Sequence, residues 1–298
     1  MKKLVTRRDF MKGSASAVVG AAIPLSQASP QDSSAQRPER SKVVLIRNAD
    51  ALDENSAFNG EVIQQMLDEG VMALFDTETP VDAFHRIVSA DQMVGIKTNF
   101  WNYLPTPAEL ENAIKTRVLD VGVSEENISI DDHGVRNNPG FQNAHSIINV
   151  RPLRTHYLSG VSGCMKNLIM FSDSQVKWHP NSCSDLGLLQ TLPEVKGRLR
   201  LHILAALTPQ FHGRGPHHFS RRYVWNYKGL IIGTDVVAVD AIGLKLLMAK
   251  RTEVLGAANA LPPVPKHIEI ADKVHGLGNS DLDKIDLIKI GWQDDVLI

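Results

Sequence analysis

The chain has 298 residues, of which 43% are hydrophobic and 22% charged, and its formal net charge at pH 7 is -1. This is the composition of an ordinary globular protein, and the near-neutral charge argues against a nucleic-acid-binding protein, which needs a strongly basic surface. Two cysteines are too few for a disulfide framework or for a ferredoxin-type cluster, which takes four thiolates.

The first 28 residues have three parts that are typical of an export signal. Arg7 and Arg8 belong to a charged start, residues 15–25 form a short and weakly apolar stretch, and a small-x-small sequence ends at Ala28. The apolar stretch is shorter than the roughly 20 residues that a membrane-spanning helix needs. The segment resembles the signals read by the twin-arginine translocase, so we predict export to the periplasm and cleavage after Ala28. An uncleaved N-terminal anchor is the alternative.

Residues 29–41 are rich in Ser, Gln, Pro and charge, which predicts a flexible spacer before a single domain at 42–298. In that domain, short apolar runs alternate with apolar residues at helical spacing. Strands are predicted at 42–47, 91–98, 128–131, 199–207, 229–233 and 285–290, and helices at 60–75, 107–121 and 235–250. The alternation predicts an α/β fold, with a mainly parallel sheet flanked by helices and an irregular central insertion over 134–196.

Polar residues directly follow two of the predicted strands. Lys97 and Asn99 lie at the end of one strand, and Asp131 and Asp132 lie at the end of the next. Ligands of open α/β sheets bind beyond the carboxyl ends of the strands, so we expect Lys97, Asn99 and Asp132 to line one cleft. The alternatives are an exposed lysine at the end of a strand and a turn cap for either carboxylate.

A third polar group lies at 159–167, where Lys166 and Asn167 follow a run of small residues. Small residues let the backbone approach a ligand closely, and successive N–H groups can form an anion-binding concavity. Lys166 then supplies a charge and Asn167 an amide. We predict both as ligand contacts.

Cys164, His179 and Cys183 fall in the same polar stretch. Thiolates with an imidazole are a usable ligand set for zinc or another borderline-soft metal ion. A disulfide between the two cysteines, or two unrelated buried thiols, are the alternatives.

A fourth group follows the strand predicted at 199–207. Gly213, Arg214 and Gly215 form a Gly-x-Gly turn that suits an anionic ligand, because glycine leaves room for it and arginine binds it with two parallel hydrogen bonds.

Two carboxylates belong to the helix predicted at 235–250. Asp235 stands at its start, where it is a natural cap as well as a candidate ligand contact. Asp240 lies in an apolar run, so its carboxylate needs a cation, a hydroxyl or a backbone group as partner. Pairing of Asp240 with Lys97 or Lys166 is our hypothesis.

Taken in order, these motifs resemble the domain of unknown function family 362. The resemblance covers about 93–250 and 276–291, and it rests on VGIKTN at 94–99, TPAEL at 106–110, SIDDH at 129–133, SGCMKN at 162–167, KWH at 177–179, HGRGP at 212–216 and GLIIGTDVVAVDAIG at 229–243. Its family-like positions are Lys97, Lys166, Asn167, His179, Gly213, Gly215, Asp235 and Asp240. Many members carry an added ferredoxin domain with iron-sulfur clusters. This chain has no closely spaced cysteine quartet, so an electron-transfer role does not carry over.

We expect an exported enzyme that uses a cofactor or a metal ion and acts on an anionic small molecule, in a cleft at the carboxyl ends of the strands. Lys97 and Lys166 would hold the anion, His179 would be the general base or a metal ligand, and Asp240 would orient a lysine. The alternative is a periplasmic protein that binds or delivers a metal ion or small ligand without turnover. A third hypothesis, with less support, is a structural or interaction module. The expected partners are the translocase during export and this ligand. We expect no nucleic-acid partner and no membrane span in the mature protein.

Overall fold

Eight strands form one sheet in the computed structural model, which describes residues 39–213, 219–256 and 260–298. The strands are β1 (Ser41–Arg47), β2 (Val94–Lys97), β3 (Ile128–Asp131), β4 (Ser146–His156), β5 (Gly160–Ser162), β6 (Leu199–Gln210), β7 (Gly229–Gly233) and β8 (Ile285–Gly291). The described helices are α1 (Gly60–Phe75), α2 (Pro80–His85), α3 (Ala108–Asp120), α4 (Pro139–Gln142), α5 (Cys164–Asn167), α6 (Pro180–Cys183), α7 (Val236–Leu255) and α8 (Lys266–Lys273).

The sheet is mainly parallel, as predicted. Its order is β3-β2-β4-β6-β7-β1-β8, and β5 pairs with the last three residues of β4. β7 runs antiparallel to both of its neighbours, β6 and β1, whereas the other pairs on this path are parallel. Six strands therefore share one direction, and their carboxyl ends lie along one side of the sheet, called here the carboxyl edge.

Helices cover both faces of the sheet. The Asn59 side chain caps α1 by accepting a hydrogen bond from the Val62 N–H at 3.3 Å, and the buried residues of α1 recur every three or four positions. α1 and α3 pack with β2 on one face, while α7 and α8 pack with β7 on the other. The predicted α/β class is confirmed, because helices cover both faces of a mainly parallel sheet.

The segment at 134–196 is less irregular than predicted, because it contributes β4 to the middle of the sheet. All eleven residues of β4 are buried. Pro152 interrupts the apolar pattern, and the pairing of β4 with β6 shifts register between Pro152 and Arg154. Proline in a central strand normally argues against a strand, and here the shift in register accommodates it.

Several predictions concern residues outside the described part of the chain. These are the export signal with Arg7, Arg8 and Ala28, positions 29–38 of the spacer, and the two turn residues Arg214 and Gly215. Within the described residues, no helix is long and apolar enough to cross a membrane.

Candidate functional site

The Lys97 ammonium group is fully buried at the carboxyl end of β2. Its Nζ lies 2.5 Å from Asp132 Oδ1, 2.7 Å from the Thr98 carbonyl oxygen and 3.3 Å from Asn167 Oδ1. Burial lowers the Lys97 pKa to about 8, although the Asp132 carboxylate opposes this shift. Since three acceptors occupy its three N–H bonds, Lys97 positions its neighbours and has no donor left for a ligand.

Asp132 is the carboxylate that compensates Lys97. Burial alone would raise the Asp132 pKa, but the Lys97 ammonium and the Phe100 N–H, which donates to Oδ2 at 2.9 Å, bring it below its ordinary value. The Asn99 amide lies 3.5 Å from the same oxygen. Lys97, Asn99 and Asp132 therefore meet at the carboxyl edge, as predicted, but they bond to each other.

Asn167 ties α5 to the ends of two strands. Its Nδ2 lies 2.8 Å from Asn149 Oδ1, 3.1 Å from the Val150 carbonyl oxygen and 3.3 Å from the Lys97 carbonyl oxygen. Asn149 in turn donates to the Cys164 carbonyl oxygen at 2.9 Å. These bonds hold α5 against β2 and β4, which sets the position of Lys166 on that helix.

Asp240 holds the start of α5 and does not pair with a lysine, so that hypothesis is wrong. Its Oδ1 accepts from the Cys164 N–H at 2.6 Å and its Oδ2 from the Met165 N–H at 2.9 Å. Burial raises the Asp240 pKa to about 7, against the effect of these two hydrogen bonds. An added Cβ at Gly163 would lie 2.3 Å from Asp240 Oδ1, so glycine is needed for this close approach.

Two buried arginines of β4 were not predicted as site residues. Arg151 and Arg154 are 4% and 3% exposed, and the Nε atom of each has no hydrogen-bond partner. Burial lowers the Arg151 pKa to about 10 and places that of Arg154 well below its ordinary value. Arg154 Nη1 donates to Asn99 Oδ1 at 3.3 Å. Buried guanidinium groups normally have a carboxylate partner, so these two are unusual.

Lys166 completes a group of three buried cations with Arg151 and Arg154, called here the cation cluster. Lys166 is 5% exposed, and burial lowers its pKa to about 8, with further repulsion from the two arginines. Within the described residues, no carboxylate lies at ion-pair distance from any of the three. The cluster therefore has no directly paired carboxylate, although Asp132 acts on both arginines and Asp240 on Arg151 at longer range.

Two histidines near this cluster have lowered pKa values. His179 Nε2 lies 3.5 Å from Lys166 Nζ, and burial followed by the Lys166 charge lowers the His179 pKa. His156 is buried and accepts hydrogen bonds at Nδ1 from the Leu158 and Ser159 N–H groups. Burial, and then the charges of all three cations, lowers its pKa strongly. Lys166 and His179 are thus brought together, as predicted.

The predicted metal site is not formed. Cys164 belongs to the apolar cluster around α7, where its thiol points to the Asn149 carbonyl oxygen, whereas Cys183 packs in a separate cluster. Both cysteines are free, so the disulfide alternative is wrong as well. The described residues contain no group of three His, Cys, Asp or Glu side chains that could hold a metal ion. The Lys166 ammonium group lies 3.5 Å from His179 and would repel a metal ion there.

Asp235 lies away from the cluster because β7 is antiparallel and therefore ends at the opposite side of the sheet. Its carboxylate caps α7 by accepting from the Val237 and Ala238 N–H groups at 2.9 and 3.2 Å. Its Oδ2 accepts from Ser41 Oγ at 2.6 Å and from the Asn279 N–H at 2.8 Å. The cap is confirmed, and the prediction that Asp235 lines the same cleft is wrong.

A comparison with protein-family models identifies the family. The model described as "Domain of unknown function (DUF362)" matches residues 55–245, which is more than half of the chain. The chain belongs to this family. No curated protein and no solved structure matches it.

The DUF362 region contains Lys97, Asp132 and the whole cation cluster, whereas α8 and β8 lie beyond it. His267 of α8 is fully buried, and neither of its ring nitrogens has a partner. Burial, with a smaller effect from Lys166, lowers its pKa to about 3. His267, which lies outside the matched region, is therefore a further buried residue near Lys166 in this DUF362 protein.

Gly213 approaches the same edge, because its carbonyl oxygen accepts from Thr155 Oγ1 of β4 at 2.9 Å. A cleft of about 550 Å³ opens nearby, lined in part by Tyr103, Thr208 and Phe219. A cavity of about 730 Å³ between α7 and α8 contains no member of the cation cluster. We therefore place the candidate site at the cation cluster and not in the larger cavity.

Proposed function

We propose that this DUF362 protein binds an anionic small molecule in the cation cluster at the carboxyl edge of its sheet. The observation that carries this proposal is the absence of any carboxylate at ion-pair distance from Arg151, Arg154 and Lys166 among the described residues. A phosphate or carboxylate ligand would supply the missing negative charge. Arginine suits this task because its planar group binds such anions with two parallel hydrogen bonds.

The free energy of the empty cluster supports the same proposal. A buried donor without a partner costs about 1–3 kcal/mol, and Arg151 and Arg154 each have one at Nε. Burial is the main reason that the pKa values of all three cations are lowered, and repulsion from Arg151 adds to the effect on Arg154 and Lys166. An arrangement that is this unfavourable without a ligand is typical of a binding site.

Lys166 and His179 are our candidates for catalysis. With a pKa of about 8, a fraction on the order of one tenth of Lys166 is a neutral amine at pH 7. A neutral amine can accept a proton or attack an electrophile, and the His179 ring is within reach at 3.5 Å. Lys97 and Asp240 act as positioning residues in this proposal, because their polar atoms are bonded to neighbours.

Non-catalytic binding is the second candidate. Both buried carboxylates of the region are engaged, Asp132 with Lys97 and Asp240 with the backbone of α5. The described part of the site therefore offers no free carboxylate base, which favours a carrier. Turnover that is lost in His179→Ala, with ligand affinity retained, would support the enzyme.

The binding test uses calorimetric titration of the purified protein with phosphate, sulfate, acetate and citrate. We expect at least one anion to bind in wild type, with affinity that falls about 10- to 100-fold in Lys166→Met. The surface variant Lys115→Met is the control, since Lys115 pairs with Glu125 far from the cluster in sequence. Absence of binding by every anion, or equal affinity in Lys166→Met, would overturn the proposal.

We also propose that the protein is exported by the twin-arginine route. Arg7, Arg8 and the small-x-small sequence before Ala28 support this proposal. Lysine in place of both arginines should leave the precursor in the cytoplasm, whereas arginine in place of Lys2 and Lys3 should not. Immunoblots of periplasmic and cytoplasmic fractions measure the outcome. Periplasmic mature protein in the variant with lysine at 7 and 8 would refute this route.

A further inference from the structure

Three aromatic side chains form a group beside the cation cluster. The rings of Tyr103 and Phe219 are stacked with centroids 5.0 Å apart, and Trp101 contacts both rings edge-on at 5.3 and 5.6 Å. Tyr103 is 56% exposed and Trp101 and Phe219 are half-buried, so this group lies at the surface and not in the core. Exposed aromatic groups of this kind are common in binding sites.

Arg154 joins this aromatic group to the charged site. Its guanidinium carbon lies 4.2 Å from the centroid of the Trp101 ring, which is a cation–π contact. One face of Trp101 is therefore directed at the cation cluster, while its edge contacts Tyr103 and Phe219. A molecule bound at Arg154 through an anionic group has the aromatic side chains within its reach.

A cleft of about 550 Å³ opens beside the same rings. Tyr103 and Phe219 line it together with Leu104, Pro105 and Pro107. Its volume falls within the range of about 300–1,000 Å³ that is usual for small-molecule sites. Tyr103, Phe219 and these three residues give the cleft an apolar wall that suits a planar ring, while Glu109 and Arg221 are also part of its lining.

We propose that the ligand of the cation cluster is a small aromatic acid. Its carboxylate or phosphate group binds at Arg151, Arg154 and Lys166, and its ring packs against Tyr103 and Phe219. This inference rests on the proposed anion site and adds the class of the ligand. An inorganic anion would leave the exposed rings in water, whereas an aromatic acid would cover them and satisfy the charges at the same time.

The test compares ligands that share a head group and differ in the ring. Phenyl phosphate is compared with methyl phosphate, and phenylacetate with acetate, by isothermal titration calorimetry of the purified protein. We expect the aromatic member of at least one pair to bind about tenfold more tightly. Tyr103→Ala should lower that preference by roughly threefold or more and leave the affinity for methyl phosphate or acetate unchanged.

Leu119→Ala is the control, because Leu119 is a large apolar side chain of α3 that is 37% exposed and does not line the cleft. It should keep the preference for the aromatic ligand. Equal affinity within both pairs, or a preference that survives Tyr103→Ala, would overturn this inference alone. If none of the four anions binds, the proposed anion site is refuted and this inference with it.

Discussion

Arg151→Met separates a binding role from a structural role for the cation cluster. Arg151 is buried in β4 with no partner at Nε and no ion pair among the described residues. Methionine has a similar length and a flexible, apolar side chain, so it can occupy the same space without a charge. We expect the variant to be more stable than wild type without ligand and to bind anions more weakly.

Both effects can be estimated. Replacement of buried charged groups by apolar side chains of similar volume stabilises proteins by up to about 4 kcal/mol. For a chain of this size, each kcal/mol raises the melting temperature by roughly 2–4 °C. Loss of one charge-assisted hydrogen bond to the anion costs about 1.5–3 kcal/mol, which is about a 10- to 100-fold increase in Kd.

Arg47→Met is the matched control, because Arg47 is buried to a similar degree at the carboxyl edge but has partners. It donates to the Tyr227 and Asp294 carbonyl oxygens and lies between the rings of Tyr227 and Trp292. Its replacement should lower the melting temperature and leave anion affinity unchanged.

The assay is differential scanning calorimetry without ligand, followed by calorimetric titration with the tightest of the tested anions. A lower melting temperature in Arg151→Met would mean that Arg151 has stabilising partners after all. Unchanged anion affinity would mean that Arg151 does not face the ligand. Either result would refute the reasoning from unpaired buried charge.

Three further predictions concern neighbouring groups. Anion affinity should fall as the pH rises through about 8, because Lys166 loses its proton there. Most of this pH dependence should vanish in Lys166→Met. Calorimetric titration at pH 6 to 10 measures it, and the same pH dependence in both proteins would contradict this assignment. The stability that Asp240 contributes should be complete below its unfolded pKa of 3.8 and decline as the pH rises towards about 7, since burial raises its folded pKa. Chemical denaturation at pH 4 and pH 7 should show this decline in wild type and not in Asp240→Asn, which should itself cost about 1–3 kcal/mol through the loss of one acceptor for α5. Asp235→Ala should cost about 1–3 kcal/mol with no change in anion affinity, and weaker binding would show that the cap acts on the site.

The regular elements could be predicted from sequence because their apolar residues follow a regular spacing. The apolar residues of α1 recur at helical spacing, so the helix predicted at 60–75 is confirmed at both ends. β3 and β7 are short apolar runs with polar or glycine neighbours, and their predicted bounds are confirmed as well. Lys97, Asn99 and Asp132 were placed at the carboxyl edge by the rule for ligand sites in such sheets.

β4 was missed because its sequence looks unlike a buried strand. SIINV is apolar and β-branched, but RPLRTH adds two arginines and a proline, which normally end a strand. One signal was available in the sequence. No Asp or Glu lies between Asp132 and Asp173, although Arg151, Arg154 and Lys166 all do. A long stretch that is free of acids and contains buried cations indicates an anion site.

The role of Asp235 depends on the direction of β7, and the role of Asp240 depends on where α5 packs. The spacing of apolar residues indicates neither. A strand pattern reads the same in both directions, so the sequence did not reveal that β7 is antiparallel and carries Asp235 away from the site. Likewise, a carboxylate in an apolar run needs a partner, but only the position of α5 shows that backbone N–H groups provide it for Asp240.

The direction of β1 decides where other molecules can be attached to this protein. β1 begins at Ser41, beside Asp235, and runs towards the side of the sheet that carries the charged residues. An affinity tag or fluorescent label fused ahead of residue 39 is therefore anchored on the far side of the sheet from Arg151. Immobilisation through such a tag should leave the carboxyl edge free for surface-based binding measurements.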